Sequence, residues 1–156
     1  MRPEEPGNEV KAELLGLFAA GRYDEAAARS RRLTREFPED GFGWKLLGSS
    51  LAANERFTAA LPILLRAAEL RPNDEVVQSN LGATLIRLGR PIKAIEHLRA
   101  AVAIKPDFWQ AHANLGSALR SVGEISLAVE SLRRSVNIAQ ARCRAIDRAD
   151  FQKPVR

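Results

Sequence analysis

Few residues in this chain are suited to catalysis or to metal binding. The sequence has two histidines, His97 and His112, and one cysteine, Cys143. A Cys–His nucleophile or a metal cluster would use almost this whole set, so we expect His112 to pack and His97 to be a partly exposed polar residue. The sequence also lacks a glycine-rich phosphate loop and a Gly-x-Ser-x-Gly elbow. We therefore predict no enzyme, no catalytic residue, no metal and no cofactor.

Two asparagines offer a different chemistry, the binding of a polypeptide backbone. Asn80 and Asn114 lie in Ser-Asn-Leu-Gly and Ala-Asn-Leu-Gly, each two residues before a glycine. An Asn amide has both a donor and an acceptor, so a ladder of such amides can hold an extended chain with little regard to its side chains. The alternative is that Asn is simply tolerated at an exposed helix position.

The composition favours a helical protein. Of its 156 residues 46% are apolar and only 6% aromatic, with Ala and Leu dominant. A single cysteine cannot form an intramolecular disulfide, which points to a reducing compartment. The first ten residues lack the pattern of an export signal, and the apolar runs are far shorter than the ~20 residues that cross a bilayer. We expect a soluble, cytoplasmic protein without membrane insertion.

A fixed period of 34 residues organises the chain. Such a period outweighs any reading of local propensity, because it indicates one structural unit used repeatedly. Five independent series of residues share it: Pro38, Pro72 and Pro106; Gly48, Gly82 and Gly116; Ala26, Ala60, Ala94 and Ala128; Leu47, Leu81 and Leu115; and Leu64, Leu98 and Leu132.

Each period contains two helical stretches. The predicted helices cover residues 8–20, 24–37, 41–53, 57–70, 75–87, 91–105 and 109–121, and a last one begins at 125. Gly21, Gly89 and Gly123 are expected at the turns within pairs, with Asn54-Glu55 in their place in the second copy. The repeat glycines Gly48, Gly82 and Gly116 each cost about 1 kcal/mol relative to Ala, so we expect their helices to pack closely on a partner helix.

These residues resemble the tetratricopeptide repeat. Trp44, Leu47, Gly48, Ala60 and Pro72 follow its Trp-x2-Leu-Gly pattern, later Ala and closing Pro, whereas the first copy has Leu14 in place of the glycine. The resemblance implies an all-α fold, a right-handed superhelical solenoid of four helix-turn-helix repeats with an extended C-terminal helix. The repeats would be residues 7–40, 41–74, 75–108 and 109–142. A flexible N-terminus, 1–6, would precede them, and a helix extension with a basic tail, 143–156, would follow.

The same resemblance implies that the first helix of each pair lines a concave groove. The Asn-Leu-Gly repeats also look like those of the O-linked N-acetylglucosamine transferase superhelices, in which an Asn ladder grips substrate peptides. The groove residues chosen by the helical period include no acid, so we expect an acidic peptide to bind there. They are Lys11, Lys45, Ser49, Ser79, Asn80, Arg87, Gln110, Asn114, Ser117 and Arg120.

An apolar stripe continues along the last helix, through Val136, Cys143 and Ile146. We expect these apolar side chains to be buried against another surface. The stripe could cap the solenoid, pair with a second copy to form a homodimer, or dock another domain.

We therefore predict a non-catalytic protein-interaction scaffold whose groove binds an extended, acidic peptide. The first alternative is an accessory or substrate-recruiting module of a bacterial-type glycosyltransferase or sulfotransferase, because such enzymes carry similar arrays. The second is nucleic-acid binding, suggested by a net charge of +5 and by four arginines between Arg29 and Arg35. It is disfavoured because the aromatic residues lie mainly at packing positions.

Overall fold

The fold is a row of antiparallel helix pairs. A computed structural model describes the backbone of residues 5–151 and the side chains of residues 5–146. Over these residues the chain forms helices and no strand. The helices are α1 (Asn8–Ala19), α2 (Tyr23–Glu36), α3 (Gly41–Ala53), α4 (Phe57–Leu70), α5 (Glu75–Arg87), α6 (Pro91–Ile104), α7 (Trp109–Ser121) and α8 (Ile125–Phe151).

These helices confirm the predicted all-α architecture. Each bound that was predicted lies within one residue of the observed one, and α8, for which only the start at 125 was predicted, ends at Phe151. The expected flexible N-terminus falls mostly on residues 1–4, and the end of the basic tail on residues 152–156; both lie outside the described residues. Within the described part of the chain, no helix is both long enough and apolar enough to cross a membrane.

A left-handed residue makes the turn inside every helix pair. Gly21, Gly89 and Gly123 have φ values of 72°, 70° and 84°, and Glu55 takes the same place in the second repeat with a φ of 58°. An L-residue with a side chain is disfavoured in this region, whereas glycine enters it freely. Three of the four turns therefore use glycine, and the second holds Glu55 in the same conformation.

The two helices of a pair meet at the repeat glycine. A Cβ atom added to Gly48, Gly82 or Gly116 would lie 2.6, 2.5 or 2.6 Å from the leucine of the second helix sixteen residues later. Real Cβ atoms do not approach other atoms so closely, so the leucine occupies the space that a side chain would need. The period-34 glycines and leucines are therefore two halves of one contact.

In the first helix pair, α1 and α2 make the same contact, but the large residue is on the first helix and the small one is on the second. Leu14 stands at the glycine position and is 1% exposed, while Ser30 stands at the leucine position and is fully buried. A large residue on α1 thus faces the small residue on α2, which explains how the first repeat tolerates its departure from the pattern.

Each loop between repeats is tied by a side chain of the following first helix. Trp44 Nε1 donates to the carbonyl oxygen of Pro38 at 2.8 Å, and Gln78 Nε2 donates to that of Pro72 at 3.1 Å. His112 Nε2 lies 2.9 Å from the Pro106 carbonyl oxygen, so this nitrogen carries a hydrogen and donates. Three residue types at one repeat position therefore make the same hydrogen bond, which satisfies a loop carbonyl.

The order of helix contacts gives the solenoid its curvature. Among the described residues, α1 contacts α3, α3 contacts α5, and α5 contacts α7, whereas α2, α4, α6 and α8 do not contact one another. The first helices are therefore closer together than the second helices. They line the concave side, as expected from the family resemblance.

Replacing Gly82 by Ala tests the close approach. The new Cβ would overlap Leu98, so we expect Gly82→Ala to lower the free energy of unfolding by about 1–3 kcal/mol. Gly16→Ala is the matched control, because Gly16 also lies in a first helix but has no atom within 4 Å of its added Cβ. It should raise the free energy of unfolding by about 0.5–1 kcal/mol through helix propensity. Urea denaturation of both variants measures this, and equal effects would show that the contact is not restrictive.

Candidate functional site

The two asparagines of the expected ladder have different surroundings. Asn80 on α5 is half-buried, and its Nδ2 donates to Ser49 Oγ on α3 at 2.8 Å. That bond leaves the amide oxygen as the group that can accept from a bound chain. Asn80 therefore both joins two first helices and faces the groove.

Asn114 lacks the corresponding bond. It is half-buried on α7, and the residue 31 positions earlier, where Asn80 has Ser49, is Ala83. Ala has no polar side-chain atom, and Asn114 makes no side-chain hydrogen bond with any described residue. Its donor and its acceptor are thus both left for water or for a ligand.

Lys45 is held by a buried carboxylate. Its Nζ lies 2.8 and 3.0 Å from the two oxygens of Asp74, which is only 8% exposed. The Asp74 carboxylate also accepts from Arg71 Nε at 3.0 Å and from the backbone N–H groups of Val76 and Val77 at 3.1 Å. Asp74 is therefore the N-cap of α5 and the anion that neutralises Lys45.

The protonation of Asp74 follows from these partners. Burial by itself raises the pKa of the carboxyl, but hydrogen bonds from Lys45, from the Val77 N–H and from Arg71 outweigh it. The net result is a pKa below its usual range. Asp74 is ionised at neutral pH, and its one negative charge is shared by Lys45 and Arg71, so the positive charge that Lys45 brings to the groove is reduced.

Of the remaining cations of the expected groove, Lys11 is half-buried like Lys45, whereas Arg87 and Arg120 are exposed. Lys11 Nζ lies 3.4 Å from Glu5, and Arg87 lies 3.6 Å from Glu55. Such surface pairs contribute little and remain open to exchange with a ligand. Arg120 is exposed and has no ion-pair partner among the described residues. The positive potential of the groove therefore lies mainly toward Arg87 and Arg120.

The other polar residues expected in the groove divide into two groups. Ser49 and Ser79 are buried, at 6% and 3% exposure, and lie between first helices. Ser117 is half-buried and donates to the carbonyl oxygen of Ala113 at 3.1 Å, whereas Gln110 is exposed at the start of α7. The part of the groove open to a ligand thus centres on α5 and α7.

Both histidines have structural partners. His97 Nδ1 lies 2.8 Å from Gln78 Oε1, so Gln78 joins α6 to the Pro72 carbonyl oxygen. Burial lowers the pKa of His97, against the opposing charge of Glu96. His112 makes the loop contact described above. Cys143 is exposed, and the described residues contain no cluster of three or more His, Cys, Asp or Glu residues that could hold a metal ion.

The apolar stripe lies on the outer side of α8. Val136 and Ile146 are 53% and 60% exposed, and Cys143 is exposed between them. Of the described helices, α8 packs only against α7. The stripe is therefore a second surface, separate from the groove.

Sequence reasoning did not identify Asp74 as the partner of Lys45 or Ser49 as the partner of Asn80. The first contact joins residues 29 positions apart and the second joins residues 31 apart. A signal for the second was present, because Ser49 and Ala83 are one period apart and precede Asn80 and Asn114 by the same interval. Comparing these two positions would have shown that the two amides differ.

Removing the Asp74 carboxylate should destabilise the protein more than removing an ordinary N-cap. Asp74→Ala leaves Lys45 and Arg71 without their partner, so we expect a loss of about 2–3 kcal/mol in the free energy of unfolding. Asp40→Ala, at the equivalent cap of α3, loses only two backbone hydrogen bonds and should cost about 1 kcal/mol.

The effect of Asp74→Ala should also depend on pH. Because folding lowers the pKa of Asp74, its contribution is complete above the unfolded value of about 3.9. It is lost as the pH falls through the lower pKa of the folded state. Urea denaturation from pH 7 down to pH 3 measures the difference between wild type and variant. A difference that stays constant to the lowest pH would contradict the ionic role.

Comparisons with known proteins agree with this geometry. Profiles described as Tetratricopeptide repeat match residues 12–75, 51–115 and 110–142. Among proteins of curated function, none matches the chain by sequence.

Several solved structures share the fold. MamA from Desulfovibrio magneticus RS-1, from its residue 41 to the end, has 20% identity and a TM-score of 0.73, and the match covers 85% of this chain and 75% of that one. Another MamA crystal structure has 21% identity and a TM-score of 0.74, with coverage of 86% and 79%. YrrB, described as a TPR protein with an unusual peptide-binding site, has 25% identity and a TM-score of 0.70, with coverage of 86% and 69%. The similarity to MamA shows the fold alone.

Proposed function

We propose that this chain, which belongs to the tetratricopeptide repeat family, holds an extended peptide segment in the groove lined by α3, α5 and α7. Tetratricopeptide repeat proteins bind protein or peptide partners and are generally non-catalytic interaction modules. That class of activity, a scaffold for protein–protein contacts, is the premise. The groove residues carry the finer proposal.

The observation that carries the proposal is the unpaired, half-buried amide of Asn114. A polar group in such a position loses part of its hydration, so a ligand that restores both of its hydrogen bonds gains free energy. An extended backbone presents an N–H and a C=O to such an amide. The Asn80 oxygen, one repeat away, can accept from another backbone N–H of the same chain.

The charges of the groove support an acidic ligand. Lys45 is held by Asp74, so the preference for Asp, Glu or a terminal carboxylate would come mainly from Arg87 and Arg120. Both side chains are exposed, and charges of this kind change the association rate and its salt dependence more than the final affinity. The ladder would therefore supply affinity, and the arginines would orient an acidic segment toward α7.

One supporting similarity is to YrrB, which is described as having a peptide-binding site. At 25% identity, that resemblance favours peptide binding by this chain as well. It does not supply the sequence of the ligand, so the test below begins with a peptide library.

The test compares peptide binding to wild type and to Asn80→Ala/Asn114→Ala. A fluorescent library of extended peptides, acidic and basic, provides the probes, and fluorescence anisotropy measures binding. We expect the double variant to weaken binding about tenfold or more, because two half-buried hydrogen-bonding groups are removed. Asn137→Ala is the matched control, because Asn137 is exposed on α8 and should leave binding unchanged. Circular dichroism checks that all variants keep their helicity.

Either result decides the proposal. Loss of binding in the double variant alone, with helicity intact, supports backbone capture by the ladder. Equal binding to wild type and to both variants would refute it and would move attention to surfaces outside the groove. Stronger binding of basic peptides than of acidic ones would refute the charge preference while keeping the ladder.

A second pair of variants tests why the two amides differ. Ala83→Ser places a hydroxyl where Asn80 has Ser49, so Asn114 should gain an internal partner and bind peptide several-fold more weakly. Ser49→Ala removes the internal partner of Asn80 and should strengthen binding. Opposite shifts in the dissociation constant, measured with one peptide, are the expected outcome. Shifts of the same sign would show that the internal hydrogen bond does not compete with the ligand.

A further inference from the structure

The last helix leaves an apolar face uncovered at the end of the solenoid. Val129, Leu132 and Val136 on α8 are 49%, 38% and 53% exposed. We call these three residues the end face. All three lie away from the groove of the proposed function, and Leu132, which packs on Gly116 of α7, is partly exposed beside the two valines.

The repeat register shows what covers the same positions elsewhere. Leu98 and Leu64, one and two periods before Leu132, are completely buried. Thr34, three periods before Val136, is 7% exposed, and a Cβ added to Gly43 of α3 would lie 3.3 Å from its methyl carbon. The first helix of the next repeat thus covers the leucine position completely. It covers the Val136 position in part, because Ala68 and Val102 at that position are half-buried against the core. The end face has the shape of a site for one more helix.

The first helix of a second copy is a poor occupant. Glu13 stands at the position where Leu47, Leu81 and Leu115 are buried at 2%, 0% and 7% exposure. Stacking a second copy in the same register would bury this carboxylate at the centre of an apolar contact, which costs several kcal/mol. Glu13 would also lose its ion pair with Arg29.

A second copy of α8 is also a poor occupant. Between residues 125 and 146 this helix carries one acid, Glu130, and four arginines, none of which has an ion-pair partner among the described residues. They are Arg133, Arg134, Arg142 and Arg144. Two such helices side by side would bring like charges together, which disfavours the pairing.

We propose that the end face binds an amphipathic helix of a partner protein, with an apolar centre and acidic flanks. The helix would take the place of a fifth repeat's first helix, so about 13 residues suffice, the length of α3, α5 and α7. Its apolar side covers Val129, Leu132 and Val136. Its acids pair with Arg133 and Arg144, which flank the stripe on one side of α8.

The position of the acids follows from the preceding repeat. Arg99 and Val102, one period before Arg133 and Val136, line a cavity of about 140 Å³ with His112 and Leu115 of α7. A residue at the His112 position of a bound helix would therefore lie beside Arg133. Glu fits this position, whereas the Leu115 position must stay apolar.

The probe is a stapled peptide with the sequence of α5, residues 75–87, because α5 covers the equivalent face of α4. The acidic form carries Gln78→Glu, at the His112 position, and keeps Glu75, which lies at the end of the helix nearer to Arg144. The basic form carries Glu75→Lys and Gln78→Lys. Fluorescence anisotropy measures the binding of each form to the whole chain.

Three protein variants localise the binding. Val129→Ser/Val136→Ser should weaken binding of the acidic form about tenfold or more, because two apolar contacts are lost. Ile92→Ser is the matched control, because Ile92 is an apolar residue of α6 with 71% exposure and lies outside the end face. Arg133→Glu/Arg144→Glu should reverse the preference, so that the basic form binds more tightly than the acidic one.

Several outcomes would overturn the proposal. The proposal is wrong if neither peptide form binds, or if Ile92→Ser weakens binding as much as Val129→Ser/Val136→Ser does. It is also wrong if the wild-type protein binds both forms with the same affinity. Sedimentation velocity gives a separate test: a dimer that Val129→Ser/Val136→Ser dissociates would assign the end face to a second copy. Because the groove variants Asn80→Ala/Asn114→Ala should not change peptide binding at the end face, failure here is distinct from failure of the proposed function.

Discussion

The close approach of two helices at a glycine is the contact on which this structure depends. Gly48, Gly82 and Gly116 let the leucine of the paired helix lie almost against the backbone. The distance between the helices then sets where the following loop begins and how the next repeat is placed. Since the same contact recurs, small errors in its geometry would accumulate along the solenoid. The first pair keeps the distance with Leu14 and Ser30 exchanged, which shows that the combined volume matters more than the residue types.

Most of the fold could be predicted from the sequence, because a periodic sequence shows the same helix, turn and packing residues several times. Helix bounds, turn glycines and the close helix contact all followed from residues one period apart. What the period does not report is the contact between neighbouring first helices, which depends on how each repeat is rotated against the next. Lys45 and Asp74 meet across such a boundary, and so do Asn80 and Ser49.

This difference changes the interpretation of the groove. Counted along the sequence, Lys45 adds a positive charge to a surface without acids, but in the structure its charge is matched by a carboxylate that caps the next helix. Similarly, Asn80 and Asn114 look equivalent in sequence, yet one amide is partly used within the protein and the other is not. Residue types and their spacing thus predict which groups are near a site. The contacts each group makes in the folded structure decide which of them remain available to bind a ligand.

The one-sided arrangement of helix contacts has a mechanical consequence. Over residues 5–151 the first helices touch in an unbroken series, while the second helices are separated from one another. Bending the solenoid about the first helices would therefore open or close gaps on the convex side without breaking the contacts on the concave side. In such a motion the first helices would keep their spacing, while the distances between the second helices would change.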